Sequence, residues 1–248
     1  MLTIVIGDSH RLFREAAAAH LAEQAEVSAV FEAGSTEEVL DVVCRERPGV
    51  VLMDSELPGR DPFEAAIEIR GIDARCKVLF WAMRPYDDHV EAVLACGANG
   101  YVRLDDPLAT LVEAIREVAR GGTFFSRSIA ERFETRDGRR RLGPPRTGPL
   151  ARLTWREWEL LGHLGYGLLL KQACAAMRIS YKAADSLKTG LTRKLDIHNR
   201  VLLARFAMRH GLVCPGGSSE QALRRLNATD RPDASAAPGV PAIPSIGR

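Results

Sequence analysis

The sequence predicts two domains of different class: an α/β domain built on a five-stranded parallel sheet, and a small all-α domain of helix-turn-helix type. Three observations predict this. Apolar runs of strand length alternate with helically spaced segments through the first half. A stretch rich in Gly, Pro and Arg then interrupts the chain, and the charge changes sign across it.

The runs LTIVI (2–6), VSAVF (27–31), VVLM (50–53), KVLFW (77–81) and GYV (100–102) read as strands. The segments between them have helical spacing. In the last, Leu108, Leu111, Val112, Ile115, Val118 and Ala119 recur at steps of three and four after Pro107, a residue suited to a first helical turn. Alternation of this kind gives a parallel sheet with helices on both faces, over residues 1–125. Residues 126–150, with TRDGRRRLGPPRTGPL, read as a basic flexible linker. Four short helices follow in 151–214. The first opens with Thr154 and Glu157 in capping-box spacing, and the last stops at Gly211. Residues 215–248 carry Gly, Ser, Ala and Pro without apolar periodicity and read as a disordered tail.

The formal net charge of +2 conceals an asymmetry. Residues 1–133 hold 14 Lys and Arg against 23 Asp and Glu, whereas residues 151–214 hold 11 against 4. An acidic half suits signals or partners, and a basic half suits a polyanion. No apolar run approaches the roughly 20 residues of a bilayer span, and no basic region precedes the short N-terminal apolar run, so a cytoplasmic protein without membrane contact is expected. The five cysteines are odd in number, widely spaced and without a C-x-x-C pair, which points to free thiols. Trp155 and Trp158, three apart beside Leu160, Leu161 and Leu164, suit a hydrophobic core better than base stacking. There is no P-loop, and an enzyme is not expected.

Parallel sheets put functional groups at the carboxyl ends of their strands. Those ends carry Asp8, Asp54, Ala82 and Leu104. Two acids on neighbouring strand ends can hold a hard cation, although solvated loop acids look the same in a sequence.

DSHRLFRE, VLMDSELPG, GANGY and LTWRE followed by RKLDIHNRVLLARFAMRHGLV together resemble two-component response regulators of the NarL/LuxR type, over roughly residues 1–213. The resemblance implies a flavodoxin-like receiver joined to a LuxR-type helix-turn-helix domain. It implies Asp54 as phosphoacceptor, and it expects two acids after strand one, a Ser or Thr after strand four, an aromatic residue in strand five and a lysine three residues beyond. Here those places read Asp8 and Ser9, Ala82, Tyr101 and Leu104. With Ser9 neutral, Mg²⁺ at Asp8 and Asp54 is weakened; without a hydroxyl at Ala82 or an ammonium at Leu104, the phosphoryl read-out is impaired. The expectation is an atypical receiver that serves dimerisation or ligand sensing, with little role for a sensor kinase. Phosphorylation-dependent control through Asp54 is the alternative.

By the same resemblance the third helix of the second domain enters the major groove of double-stranded promoter DNA. Lys182, Lys188, Arg193 and Lys194 on it, with Lys171 in the helix before, are the candidate phosphate contacts, and Asp185, Ser186 and Thr189 its base-facing positions. Lys188 stands where an apolar residue normally packs, and Gly190 costs roughly 1 kcal/mol of helix stability. The last helix, with Val201, Leu202, Ala204, Arg205 and Met208, is where the family pairs, as a homodimer or a heterodimer with a related regulator. A modulator that sequesters such a relative without touching DNA is the other reading. Composition resembles that of actinobacterial developmental regulators, including those of sporulation.

Overall fold

The computed structural model describes residues 1–136 and 138–215. The expected tail lies outside the described residues, Pro215 apart. The described chain forms two compact units, residues 1–84 with 93–126, and residues 85–92 with 127–215.

From the N-terminus strands and helices alternate as β1 (Leu2–Gly7), α1 (Arg11–Ala22), β2 (Val27–Ala33), α2 (Thr36–Glu46), β3 (Val50–Asp54), α3 (Pro62–Ile72), β4 (Lys77–Ala82), α4 (Asp87–Cys96), β5 (Gly100–Arg103), α5 (Leu108–Ala119) and β6 (Phe124–Phe125), all in the first unit except residues 87–92 of α4. All strand pairs are parallel, in the order β2-β1-β3-β4-β5-β6. The sheet thus has one strand more than the five expected. β6 is a two-residue extension whose FF is too short to give a periodic signal.

Alternate residues leave the sheet on opposite faces. Ile4, Ile6, Leu52, Leu79 and Trp81 are buried against Ala17 and Leu21 of α1 and Leu111, Ile115 and Val118 of α5. Their neighbours Val5, Val51, Met53 and Phe80 are equally buried, and Phe80 meets Phe63 of α3 with ring centroids 4.9 Å apart. Burial on both faces explains why the strands read as continuous apolar runs. Short polar side chains start two of the helices. Ser35 accepts from the Glu38 N–H before α2, and Asp61 accepts from Phe63 and Glu64 before α3. Pro107 sits at the N-cap of α5.

The second unit contains α6 (Arg127–Ala130), an antiparallel hairpin of β7 (Phe133–Arg136) and β8 (Arg139–Leu142), a 3-10 turn over Pro149–Arg152, then α7 (Trp155–Gly165), α8 (Leu170–Met177), α9 (Tyr181–Leu195) and α10 (Arg200–Arg209). The stretch 126–150, expected as a flexible linker, therefore holds a helix and a hairpin. The reason is where its arginines go. Arg132 makes two 2.7 Å bonds to the buried Asp87 carboxylate and donates through Nε to the Gly143 carbonyl at 2.9 Å. Arg140 lies 3.9 Å over the Phe133 ring, and Arg136 lies 4.2 Å over that of Trp155.

The four helices that follow match the expected ones. Thr154 and Glu157 form the capping box at the start of α7. Trp158, Leu160, Leu161 and Leu164 of α7 pack with Ala173, Met177, Leu191, Leu203, Ala207 and Val213, and Trp155 meets Trp158 at 5.0 Å, so the tryptophans belong to the core. A Cβ on Gly165 would stand 2.5 Å from Val213 and 2.8 Å from Ala207, so the glycine lets α7 and α10 approach closely. The five cysteines are free; burial pushes the Cys76 and Cys96 thiols up to about 12, which keeps them inert. Among the described residues no helix is long and apolar enough to cross a membrane.

Candidate functional site

The register of β1 and β3 pairs Gly7 with Met53, so the next residues along, Asp8 and Asp54, emerge side by side. Asp8 is fully buried. Its Oδ1 accepts from the His10 backbone N–H at 2.7 Å and lies 3.0 Å from His10 Nδ1, while its Oδ2 has no hydrogen-bond partner among the described residues. Asp54 is 6% exposed and accepts from the Glu56 N–H at 3.0 Å. Burial lifts the Asp54 carboxyl to about 6; the Glu56 N–H opposes that rise, the Asp8 and Glu56 carboxylates add to it, and His10 works against it. Asp8, His10 and Asp54 can each offer one ligand atom with all three within 4.8 Å of one another. His10 is a member that sequence reasoning missed. Its one signal was the two-residue step from a strand-end acid, which is weak on its own.

The remaining strand-end positions close the pocket differently. Ala82 is buried at the end of β4 and presents only a methyl group. Leu104 packs against the sheet-and-helix core, and its N–H donates to the Ala82 carbonyl at 3.0 Å. Arg103, next door, gives its Nε to Asp105 at 2.7 Å. Tyr101 is fully buried, and its hydroxyl lies 2.9 Å from Ser55 Oγ, a second residue the sequence did not single out. Ser9 is exposed.

In the second unit Ser180 caps α9 by accepting from the Ala183 N–H at 3.2 Å. Ala184 and Leu191 are buried, while Tyr181, Lys182, Asp185, Ser186, Lys188, Thr189 and Arg193 are exposed. Lys171 on α8 is exposed as well. Lys188 does not enter the core; it borders an apolar pocket with Leu164, Leu168 and His198. The Thr189 hydroxyl donates to the Asp185 carbonyl at 3.0 Å. Lys194 departs from the expectation, because its ammonium is 2.5 Å from Glu157 Oε2. Burial pulls the Glu157 carboxyl upward, but Lys194 and the Thr154 N–H and hydroxyl outweigh it and hold it below the usual carboxylate range. On α10, Val201 is 65% and Leu202 51% exposed, Arg205 is exposed and Met208 is half-buried.

Residues 4–116 match the response regulator receiver domain family. The transcriptional activator protein ExaE of Pseudomonas putida is 30% identical over 213 residues, covering 85% of this chain and 97% of that protein. The chain belongs to the NarL/LuxR-type response regulators. Response regulator UvrY of Escherichia coli K12 is 27% identical, with 86% of this chain and 96% of that one covered. The fold is also that of the RcsB response regulator of Salmonella typhimurium, with a TM-score of 0.56 at 19% identity over 83% of this chain and 98% of that one.

As a response regulator the chain is implied to take Mg²⁺ at its acidic pocket, where Asp8 and Asp54 would supply the carboxylates. Mg²⁺ asks for near-octahedral oxygen at about 2.0–2.1 Å. The two carboxylates are there, but the third side chain turned to them is an imidazole, and the neutral Ser9 is exposed. The positions at which the resemblance expects a second acid, a hydroxyl and an ammonium read Ser9, Ala82 and Leu104.

Proposed function

We propose that this response regulator binds duplex promoter DNA through α9, pairs through α10, and does not use its receiver pocket as a phosphoryl switch. The observation that supports DNA binding best is the division of α9. Its buried positions pack into the helical core, and its exposed ones present Lys182, Lys188 and Arg193 with Ser186 and Thr189 among them. Cations of this kind contact phosphate, and the polar side chains between them are of the type that reads base edges. ExaE is itself named a transcriptional activator. Lys194, paired with Glu157, serves the fold in this reading more than the DNA.

For the receiver, the Tyr101 hydroxyl has a buried partner in Ser55, and neither Ala82 nor Leu104 carries a group that would respond to a phosphoryl oxygen. Asp54 is thus retained without the parts that couple it to the rest of the domain. The pairing surface serves a second copy or a related regulator.

Binding sites selected from genomic DNA and measured by fluorescence anisotropy across a salt series test both parts. Lys182→Ala and Arg193→Ala should each weaken binding and reduce the slope of log K against log salt by about one. Asp54→Asn should bind within about twofold of the unsubstituted protein, and acetyl phosphate should not change that. Binding indifferent to the loss of Lys182, Lys188 and Arg193 together would favour a modulator that captures a relative. An Asp54→Asn protein that folds yet loses regulation would return the pocket to phosphoryl control.

A further inference from the structure

The basic stretch 126–150 is no loose tether: it folds with the helical unit and brings its arginines there. We infer that the chain from the β7–β8 hairpin to the first turn of α7 is a second phosphate-contacting surface, which holds duplex DNA beside the half-site that α9 reads. This rests on the reading of α9 as the DNA-binding helix.

Charge, rigidity and position carry the inference. Residues 133–152 hold six Arg against Glu134 and Asp137, so four positive charges remain over whatever pairs form within the stretch. Arg146 and Arg152 are exposed, and Arg139 is half-buried at the start of β8. A guanidinium presents parallel N–H donors in a fork that matches phosphate oxygens.

The frame that carries these cations is fixed. Leu142 at the end of β8 is fully buried and Ile129 nearly so, and Asp87 binds both terminal nitrogens of Arg132. The Gly143 N–H donates to the Arg132 carbonyl at 2.8 Å, and Arg136 lies over the Trp155 ring. A loose basic segment would lose conformational freedom on binding; an arginine on a packed hairpin loses little.

Position then selects the partner. Arg136 reaches the first turn of α7 through Trp155, Arg152 lies two residues before the N-cap Thr154, and Arg156 is exposed within that turn. The same turn holds Glu157, which binds Lys194 in the last turn of α9, next to the exposed Arg193. The hairpin and the C-terminal end of α9 therefore meet at one turn. α9 has 15 residues and is about 22 Å long, whereas the major groove is about 12 Å wide. A helix that enters this groove by its N-terminal residues leaves its last turn outside, level with the sugar–phosphate backbone. The cations gathered around that turn face phosphate.

The test uses the full chain and its selected binding site, made as two duplexes of equal length and sequence. One has phosphate throughout; the other has uncharged methylphosphonate linkages flanking the half-site. Anisotropy at about 0.15 M salt should show the parent binding the neutral flank roughly tenfold more weakly, with a salt slope lower by about two. Arg146→Gln with Arg152→Gln should bind the charged duplex roughly tenfold more weakly and no longer distinguish the two forms, because both changes remove the same contacts. Arg139→Gln alone should lose part of the difference. The two side chains of the double variant are exposed, so it should melt with the parent. A parent indifferent to the flank, a double variant that still discriminates as the parent does, or one weakened alike on both duplexes would each overturn the inference. Lys182→Ala, measured on the neutral-flank duplex, reports on α9 without the flank, so the two readings can fail separately.

Discussion

His163 shows how much one side chain can set. It lies in α7, almost fully buried, and its Nδ1 has no hydrogen-bond partner among the described residues. Burial pushes its imidazole down to about 4, since a charged ring there would lose its water. The folded pKa is below that of the unfolded chain, so the unfolded chain takes up the proton first as pH falls. Stability of the helical unit is therefore full above about 6.5 and is lost as pH drops toward 4, by up to about 3 kcal/mol from this residue. His163→Leu should flatten that slope. Thermal melts from pH 4 to pH 7 check it, and a parent whose stability is level across the range would contradict it. Asp54 has the opposite sign. Its raised carboxyl is a cost that grows as pH rises through the range from about 4 to 6.

At the scale of elements, the junction of α7 and α9 joins Thr154, Glu157 and Lys194. Thr154 and Glu157 were readable as a cap from their spacing of three. That Glu157 also takes Lys194, 37 residues away, was not readable, because such a pair is set by how the helices pack. Gly190 belongs to the same arrangement. A Cβ there would stand 2.5 Å from Glu157 Oε1, so the glycine that looked like a plain defect in α9 makes room for the carboxylate. Intrinsic propensity alone says that Gly190→Ala stabilises α9 by about 1 kcal/mol. The contact meets only Oε1, the free end of the side chain, while Thr154 and Lys194 are bound through Oε2, so a small rotation relieves it and a net gain somewhat below that ~1 kcal/mol is expected. Chemical denaturation gives the sign directly, and a net loss would mean that the Glu157 side chain cannot turn aside. The same limit explains the other differences. The strands were legible because burial on both faces leaves unbroken apolar runs, whereas RDGRRR hid a hairpin because its Arg136 and Arg140 lie on ring faces. Asp8 and Asp54 were legible as strand ends; His10 and Ser55 became functional candidates only once the strands were side by side.

At the scale of the whole molecule, DNA recognition depends on how many copies read it. One helix-turn-helix module contacts one half-site, and two half-sites a helical turn apart call for a symmetric pair. The surface proposed for that pair is the first turn of α10, where Val201 and Leu202 stand exposed beside Arg205. Asn199 caps this turn through the Val201 and Leu202 N–H groups, at 2.8 and 3.3 Å. The turn is therefore held without help from those two side chains, and an acid placed in it suits the positive end of the helix. Val201→Asp with Leu202→Asp should leave the fold intact and put four like charges, two from each copy, where two apolar faces would meet. Affinity for a single half-site should then be unchanged, while affinity for a double site falls by about a hundredfold as the linked second contact is lost. Anisotropy on the two duplexes separates these effects. Equal losses on both would mean that the substitutions reach α9, and no loss on either would place the pairing surface elsewhere.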